Sequence, residues 1–423
     1  MTGPLHTAPR VGLFGLLGSG NSGNDASMET VLAYLRDAHP DAVVDVMSGG
    51  RPDRVRASYG LDATPMTWYQ TREGRASGVA SGILKILGKG LDVFRVASWV
   101  RRHDAVIVPG AGALETTLPQ NAWGFPLSLY WLCLSGKLFG TKVALVSVGA
   151  DAISRSTTRW LSNSTARLAF YRSYRDSYSL DAMRQRGIDV SADEVYPDLV
   201  FGVPTPPFVP GDSAIVGVGV MAYYGGDDDR RDAERIHASY VEKMTRFTRW
   251  LVDNGHQVRL FGGDGKFDGV VAERIVADLH DYRPDLAPTW VTAESASSYG
   301  ELIAKMTPVG IVVATRYHNV MCALKLCKPT ISLGYSRKFV SLMADMGLAE
   351  FNQLARSLDV DTLIKQFKEL ESRRPELQQQ MADRNTANRQ ALDRQFSVLA
   401  ARLFPALRPA HAGTGSHQAD PTG

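Results

Sequence analysis

The chain is short of several things, and each shortage closes off a class of protein. It has only three cysteines, Cys133, Cys322 and Cys327, an odd number too small for a disulfide framework. A reducing cytoplasm is the expected compartment. Long apolar runs are missing: the longest stretch, Gly124–Leu134, falls well short of the roughly 20 residues that cross a bilayer. Near the N-terminus, Val11–Leu17 is broken by Gly12 and Gly15 and meets no small-residue cleavage site, so no secretory leader is expected. Neither sign of charge dominates, with 47 Lys and Arg against 44 Asp and Glu for a net +3. That balance lacks the basic footprint of a nucleic-acid binder. No cluster of His, Cys and Asp shows metal-ligand spacing, and Asp227-Asp228-Asp229 reads as an acidic loop tip.

What is present is ordinary globular material, 44% hydrophobic and 22% charged over 423 residues. At about 100–200 residues per domain, this length suggests two domains with appendages. Residues 11–203 alternate short β-rich runs with helical segments. Val11–Leu16, Ala42–Met47, Ala105–Pro109, Lys142–Val148, Phe170–Arg175 and Val195–Phe201 read as strands. Such alternation predicts a parallel sheet covered by helices on both faces. Gly202–Gly211 then carries four prolines in ten residues, which neither a helix nor a central strand tolerates. The pattern resumes over 212–350, with strands at Ala214–Val220, Gln257–Phe261, Thr289–Val291, Gly310–Ala314 and Pro329–Leu333. The predicted fold is therefore α/β: two Rossmann-like, doubly wound domains facing a cleft, with ligands at the carboxyl ends of the strands. Residues 351–404 favour helix, divided at Pro375, and the composition of 405–423 predicts a disordered tail.

Gly18-Ser-Gly20-Asn-Ser-Gly23 is a literal G-x-G-x-x-G between a strand and a helix, with Asp45 about twenty residues on. It reads as a dinucleotide fingerprint, as a loop for another ligand, or as a structural turn. Gly12 and Gly15 break the preceding strand, and Asn21, Asn24 and Asp25 crowd the helix start, where caps and backbone amides hold an anion or a sugar hydroxyl. Gly110-Ala-Gly112 and Phe261-Gly-Gly-Asp264-Gly are further glycine turns at strand ends. The strongest local constellation is Thr315-Arg316-Tyr-His318-Asn319, where an apolar strand ends and a small-residue helix begins. Arg offers a planar fork to carboxylate or phosphate, and His moves a proton near neutral pH. A capped helix with a surface His is the plainer alternative. Arg337 and Lys338 follow the next strand, where two more cations repel unless an anion lies between them. Arg172 and Arg175 compete for the cleft from the opposite wall.

These residues resemble the polysaccharide pyruvyl transferase family. The likeness runs through Asn21-Ser-Gly23-Asn-Asp25, Val106–Gly112, Val146-Ser-Val-Gly149, Arg175-Asp176-Ser177, Tyr196-Pro-Asp198, Thr315-Arg316-Tyr-His318 and Lys338. The resemblance implies a GT-B-like pair of Rossmann-like domains. It also implies transfer of the enolpyruvyl carbons of phosphoenolpyruvate onto two hydroxyls of a polysaccharide or lipid-linked sugar, giving a pyruvate ketal. Arg175, Arg316 and Lys338 are then expected to hold the donor, and His318 to act as general acid and base. Asn21, Gly23, Asn24, Asp25, Gly110 and Gly112 form acceptor or anion loops. Phosphoenolpyruvate is a co-substrate, and no cofactor is expected. Family members commonly carry Gly-Asp-Glu where this chain has Gly23-Asn24-Asp25.

Two rival readings share the architecture: a GT-B glycosyltransferase using a nucleotide sugar, and a non-catalytic glycan-binding protein. An NAD-dependent oxidoreductase is a third, resting on the glycine motif alone. Ser77–Arg102 interleaves Leu91, Phe94 and Trp99 with Lys89, Arg95 and Arg101. It suits either core packing or peripheral contact with the inner face of the cell membrane.

Overall fold

A computed structural model of the chain describes residues 8–68, 79–115, 122–209, 211–226, 229–263 and 266–404. The tail 405–423, together with Ser77, Asp227 and Asp228, lies outside the described residues, as do the side chains of 79–87.

Two all-parallel sheets carry the molecule. The first is built from β1 (Arg10–Gly15), β2 (Val43–Ser48), β3 (Asp62–Pro65), β4 (Ala105–Pro109), β5 (Lys142–Val148), β6 (Tyr171–Tyr174) and β7 (Glu194–Val195). Its spatial order is β3-β2-β1-β4-β5-β6-β7. The second contains β8 (Asp212–Gly219), β9 (Gln257–Phe261), β10 (Val291–Glu294), β11 (Val309–Ala314), β12 (Thr330–Gly334) and β13 (Asn352–Leu354), ordered β10-β9-β8-β11-β12-β13. Both orders reverse at the first strand of their sheet, β1 beside β4 and β8 beside β11. Open parallel sheets leave a crevice at that point. Every residue of β4, β11 and β12 is buried, the near-continuous apolar pattern of strands covered on both faces.

The helices are α1 (Ser22–Ala38), α2 (Pro52–Tyr59), α3 (Val79–Val100), α4 (Phe125–Phe139), α5 (Ser156–Leu168) and α6 (Ser177–Gln185) around the first sheet. Around the second are α7 (Ala233–Asp253), α8 (Lys266–Tyr282), α9 (Tyr299–Met306), α10 (Tyr317–Lys325) and α11 (Arg337–Asp345). The chain ends in α12 (Val360–Ser372) and α13 (Arg374–Leu403), divided at Pro375, which takes the first turn of α13 where its missing N–H costs nothing. Helix α13 runs back to the first sheet. Gln395, fully buried, bonds Ser147 and Ser173, and Phe396 stacks on Tyr34 at 4.4 Å.

Several expectations need correction. Val195–Phe201 is not a strand: β7 ends at Val195, Pro197 follows, and Leu199–Gly202 forms a 3-10 turn. Asp62–Pro65 is a strand without an apolar run, because it lies at the sheet edge. Thr289–Val291 is shifted: Pro288–Trp290 turns, and the strand begins at Val291. The segment expected to start the terminal helices first adds β13 to the second sheet. Gly12 does not break β1: it pairs within the strand, and a Cβ there would collide with the Trp99 ring. On α3, Val96, Trp99 and Val100 are buried, whereas Leu91 and Phe94 are 47% and 75% exposed. No helix among the described residues is long and apolar enough to cross a membrane.

Candidate functional site

The two switch points face each other across a cavity of about 200 Å³. Its first wall comes from the β1–α1 and β4 turns, with Asn21, Gly23, Asn24, Gly112 and Glu115. Its second comes from the ends of β11 and β12, with Arg316, Tyr317, His318, Tyr335 and Lys338. Arg175 enters from the end of β6. The cavity thus gathers Arg175, Arg316, His318, Lys338, Asn21, Gly23, Asn24 and Gly112. Asp25 and Gly110 stand behind it. Asp25 accepts the Gly18 amide at 2.6 Å, and Gly110, at φ +55°, packs on Ser27. Neighbouring Ala111 also adopts a left-handed φ of +62°, a conformation that costs a Cβ-bearing residue about 1–2 kcal/mol.

Three glycines let polar side chains lie against the backbone. A Cβ on Gly23 would collide with the His318 imidazole, so the last glycine of the early motif makes room for a histidine from the other sheet. A Cβ on Gly149 would meet Glu115 and Arg175, and one on Gly263 would meet Asp268 and Arg316. Asn21 caps α1 through its side chain, which accepts the Asn24 amide at 3.1 Å.

Arg316 is gripped by Asp268 through two bonds, Nε to Oδ2 at 2.7 Å and NH2 to Oδ1 at 2.8 Å. Asp268 is fully buried on α8 and also accepts the amides of Ala222 and Gly263 at 2.9 and 3.0 Å. Bidentate geometry fixes the plane of the guanidinium. Arg175 is 9% exposed, bonds Glu115, and has Asp176 and Asp198 at 3.5 and 3.7 Å. Burial works against its charge, but Glu115, Tyr317, Asp198 and Asp176 together raise its pKa, so it stays a cation. Arg172 is turned away, tied to Asp193 at 2.8 Å, which leaves the cleft to Arg175.

Tyr317 has two cations near its ring, Arg175 at 5.5 Å and Lys338 Nζ at 5.0 Å from the ring centre. Among the described residues, no carboxylate lies within ion-pair distance of Lys338. Burial lowers its pKa, with Glu115 pulling the other way. Of the three cations that line the cavity, Lys338 is thus the one without a carboxylate at ion-pair distance. His318 is the second residue of α10, at the positive end of the helix dipole, which favours a negative charge.

The early glycine motif is not a dinucleotide site in its acidic half. Asp45 pairs with Gly12 in mid-sheet, accepts Trp99 Nε1–H at 2.7 Å and lies 3.0 Å from His103 Nε2. It is a structural partner of α3, distant from the strand ends. No group of three His, Cys, Asp or Glu among the described residues could hold a metal, and Asp229 pairs with Arg356.

Sequence reasoning missed Glu115, Asp268, Tyr317 and Tyr335. Asp268 carried a usable signal, an acid among the apolar positions of a predicted helix, since fully buried acids almost always have a partner. Glu115 carried none, because it follows a glycine turn in a segment without periodicity.

No curated protein matches the chain by sequence. Among solved structures it resembles UDP-GlcNAc 2-epimerase from Neisseria meningitidis bound to UDP-GlcNAc. The TM-score is 0.56 at 13% identity, over 92% of this chain and 99% of that one. It also resembles a putative UDP-N-acetylglucosamine 2-epimerase from Listeria monocytogenes (0.58, 13%, 95% and 98%) and the apo lipopolysaccharide outer core galactosyltransferase WaaB (0.54, 12%, 94% and 99%). At these identities the likeness speaks for the fold alone, which is of the GT-B type. The sequence model for polysaccharide pyruvyl transferase matches residues 21–337, from the cap of α1 to the first residue of α11, and the chain belongs to that family.

Proposed function

We propose that the protein transfers the enolpyruvyl carbons of phosphoenolpyruvate to two hydroxyls of a glycan acceptor, closing a pyruvate ketal. The observation that carries this reading is the convergence of Arg316, Arg175 and Lys338 on the cavity that His318 borders. Phosphoenolpyruvate brings close to three negative charges. Arg316 and the α10 amides suit one end of it, and Lys338 with Arg175 the other.

In the proposed sequence, protonated His318 delivers a proton to the methylene carbon C3, and C2 becomes oxocarbenium-like. The first acceptor hydroxyl adds to C2 as its proton departs. The C2–O bond to phosphate then breaks, with the electron pair leaving on phosphate, and the second hydroxyl closes the ring. Two hydroxyl protons are released. One replaces the proton spent at C3, and the other leaves with phosphate as hydrogen phosphate. Fixed cations around the departing phosphate stabilise charge that grows during bond breaking. The acceptor is assigned to the opposite wall, where Asn21, Asn24 and Phe125 offer amide groups and an aromatic face.

His318→Ala should lower turnover by about 10²–10⁴-fold, the usual contribution of a general acid, while phosphoenolpyruvate still binds in a calorimetric titration. Turnover unchanged in that variant removes His318 from the mechanism. Titration with UDP-GlcNAc is the companion measurement. Binding of the nucleotide sugar with none for phosphoenolpyruvate replaces this reading with a glycosyltransferase.

Peripheral membrane contact is assigned to exposed Leu91 and Phe94 with Lys89 and Arg95 beside them on α3. Vesicle flotation indifferent to anionic lipid content refutes it.

A further inference from the structure

Arg337 and Lys338 are consecutive residues of α11, yet they serve different cavities. Lys338 lines the site described above, and Arg337 lines a second cavity of about 920 Å³. The two cavities share no lining residue. The second is lined by Arg159 of α5, Arg186 at the end of α6 and Arg337, together with Asn163, Tyr178, Asp181 and Gln185.

These three arginines contrast with the paired ones elsewhere in the molecule. Arg51, Arg172, Arg184, Arg249, Arg316 and Arg373 each hold a carboxylate. Arg159 and Arg337 have no ion-pair partner among the described residues. Arg186 is half-buried and bonds only neutral acceptors: Asn163 Oδ1 at 2.9 and 2.7 Å, the Leu114 carbonyl at 3.2 Å and the Asp151 carbonyl at 3.3 Å. Burial lowers its pKa to about 10, and Arg159 pushes the same way. The nearby acids are already engaged, Asp181 by Arg184 and Asp151 by the Tyr178 hydroxyl.

Two helices add to the positive potential. Neither α5 nor α11 has an acid in its first turn or a side-chain cap at its N-terminus. Arg155 and Arg159 stand at the start of one, and Arg337 opens the other. Cations at a helix N-terminus oppose the helix dipole, and an anion between the two starts reverses that penalty.

We infer that this second cavity is an anion subsite that takes a phosphate or diphosphate group carried by the acceptor, held by Arg159, Arg186 and Arg337. The inference rests on the pyruvyl-transfer reading for the word acceptor, but the site itself does not. Guanidinium forks match phosphate oxygens in pairs, and a site next to the donor cavity lets one end of a substrate anchor while its sugar reaches C2.

The test is calorimetric titration of the full-length protein with inorganic pyrophosphate while phosphoenolpyruvate is held at saturation. Wild type should bind pyrophosphate with an affinity that falls steeply as salt rises. The double variant Arg159→Gln/Arg337→Gln should bind it at least tenfold more weakly, with phosphoenolpyruvate affinity unchanged within about twofold. Both side chains are solvent-exposed, so the variant retains the fold, and a matching thermal midpoint checks this. Arg184→Gln, a neighbour with its own acid, should behave as wild type. Pyrophosphate that fails to bind, or binds equally to the double variant, overturns the subsite. A flotation arm with vesicles containing phosphatidylglycerol separates the sources. Vesicles that compete for the same arginines assign the phosphate to a lipid headgroup, and vesicles that do not assign it to a sugar phosphate. If phosphoenolpyruvate itself does not bind, the pyruvyl-transfer reading fails. The pyrophosphate arm, run on the protein alone with Lys338→Gln beside the double variant, still decides the subsite.

Discussion

Helix α10 carries cations at both ends, and the two ends treat them differently. At its start, Arg316 is locked by a buried carboxylate and turned to a cavity, with His318 two residues on. At its far end, Lys325 and Lys328 are buried and bond carbonyls only. Lys325 reaches Phe201 at 2.8 Å, and Lys328 reaches Val209 and Thr307 at 2.7 and 2.6 Å. Those carbonyls belong to the proline-rich segment between the sheets and its surroundings, which Arg374 and Arg389 also bond at Gly211 and Gly202. Carboxylates aim a charge at a ligand. Carbonyls let a lysine fasten a linker without adding an acid, and a neutral lysine still has N–H groups to donate to them. The front of the helix is built for recognition and the back for attachment.

The strongest way to break this contrast is to remove the carboxylate at the front. Asp268→Ala strips Arg316 of its clamp and leaves the Ala222 and Gly263 amides without their acceptor. Breaking a buried, hydrogen-bonded ion pair from one side costs about 3–5 kcal/mol. Urea unfolding should show that loss, and phosphoenolpyruvate affinity should fall with it. A variant as stable as wild type with intact donor binding shows that the clamp is ornamental.

A smaller effect separates aim from charge. Lys338→Ala should leave stability nearly unchanged, because Lys338 has no carboxylate to abandon. It should weaken phosphoenolpyruvate binding by about 1.5–3 kcal/mol, the range for a hydrogen bond to a charged group. Arg175→Ala should damage both quantities, since it would strand Glu115, Asp176 and Asp198 together in a buried place. Equal stability losses in the two variants remove the distinction between them.

The same contrast explains which parts of the molecule were legible in the sequence. Both sheets were, because strands such as Ala105–Pro109 and Val309–Ala314 are apolar throughout. Arg316, His318 and Lys338 were legible because each sits at a strand-to-helix junction, where chemistry collects in open sheets. Their partners were not. Asp268 and Glu115 lie 48 and 60 positions from the arginines they hold, and only the packed fold sets such distances. The linker lysines went unremarked because Lys325 and Lys328 look like surface charges at a helix end, and nothing local announces that a proline-rich strand of chain will cover them. Asp45 shows what spacing leaves open: its distance from the glycine motif fits a dinucleotide fingerprint, while in the fold it accepts the Trp99 indole N–H.

The finest discrimination comes from protons at the back of α10. Burial lowers the pKa of Lys325 to about 7 and that of Lys328 to about 8, against about 10.4 for an exposed lysine. Between those values the unfolded chain holds a proton that the folded chain has released. Stability therefore rises with pH from about 7 toward 10, and below 7 both burial penalties are felt in full. Replacing Lys325 by methionine removes one of the two titrations along with its bond to Phe201. The absolute stability of Lys325→Met can move either way, but its slope between pH 7 and 9 should be visibly shallower than that of wild type. Urea midpoints at pH 6, 7, 8 and 9 measure both. Arg316 offers the control at the other end of the helix: Arg316→Met removes a cation that never loses its proton in this range, so it should shift the curve without changing its slope. If Lys325→Met keeps the wild-type slope, the lysine is charged and paired throughout, and the two ends of α10 differ in position alone.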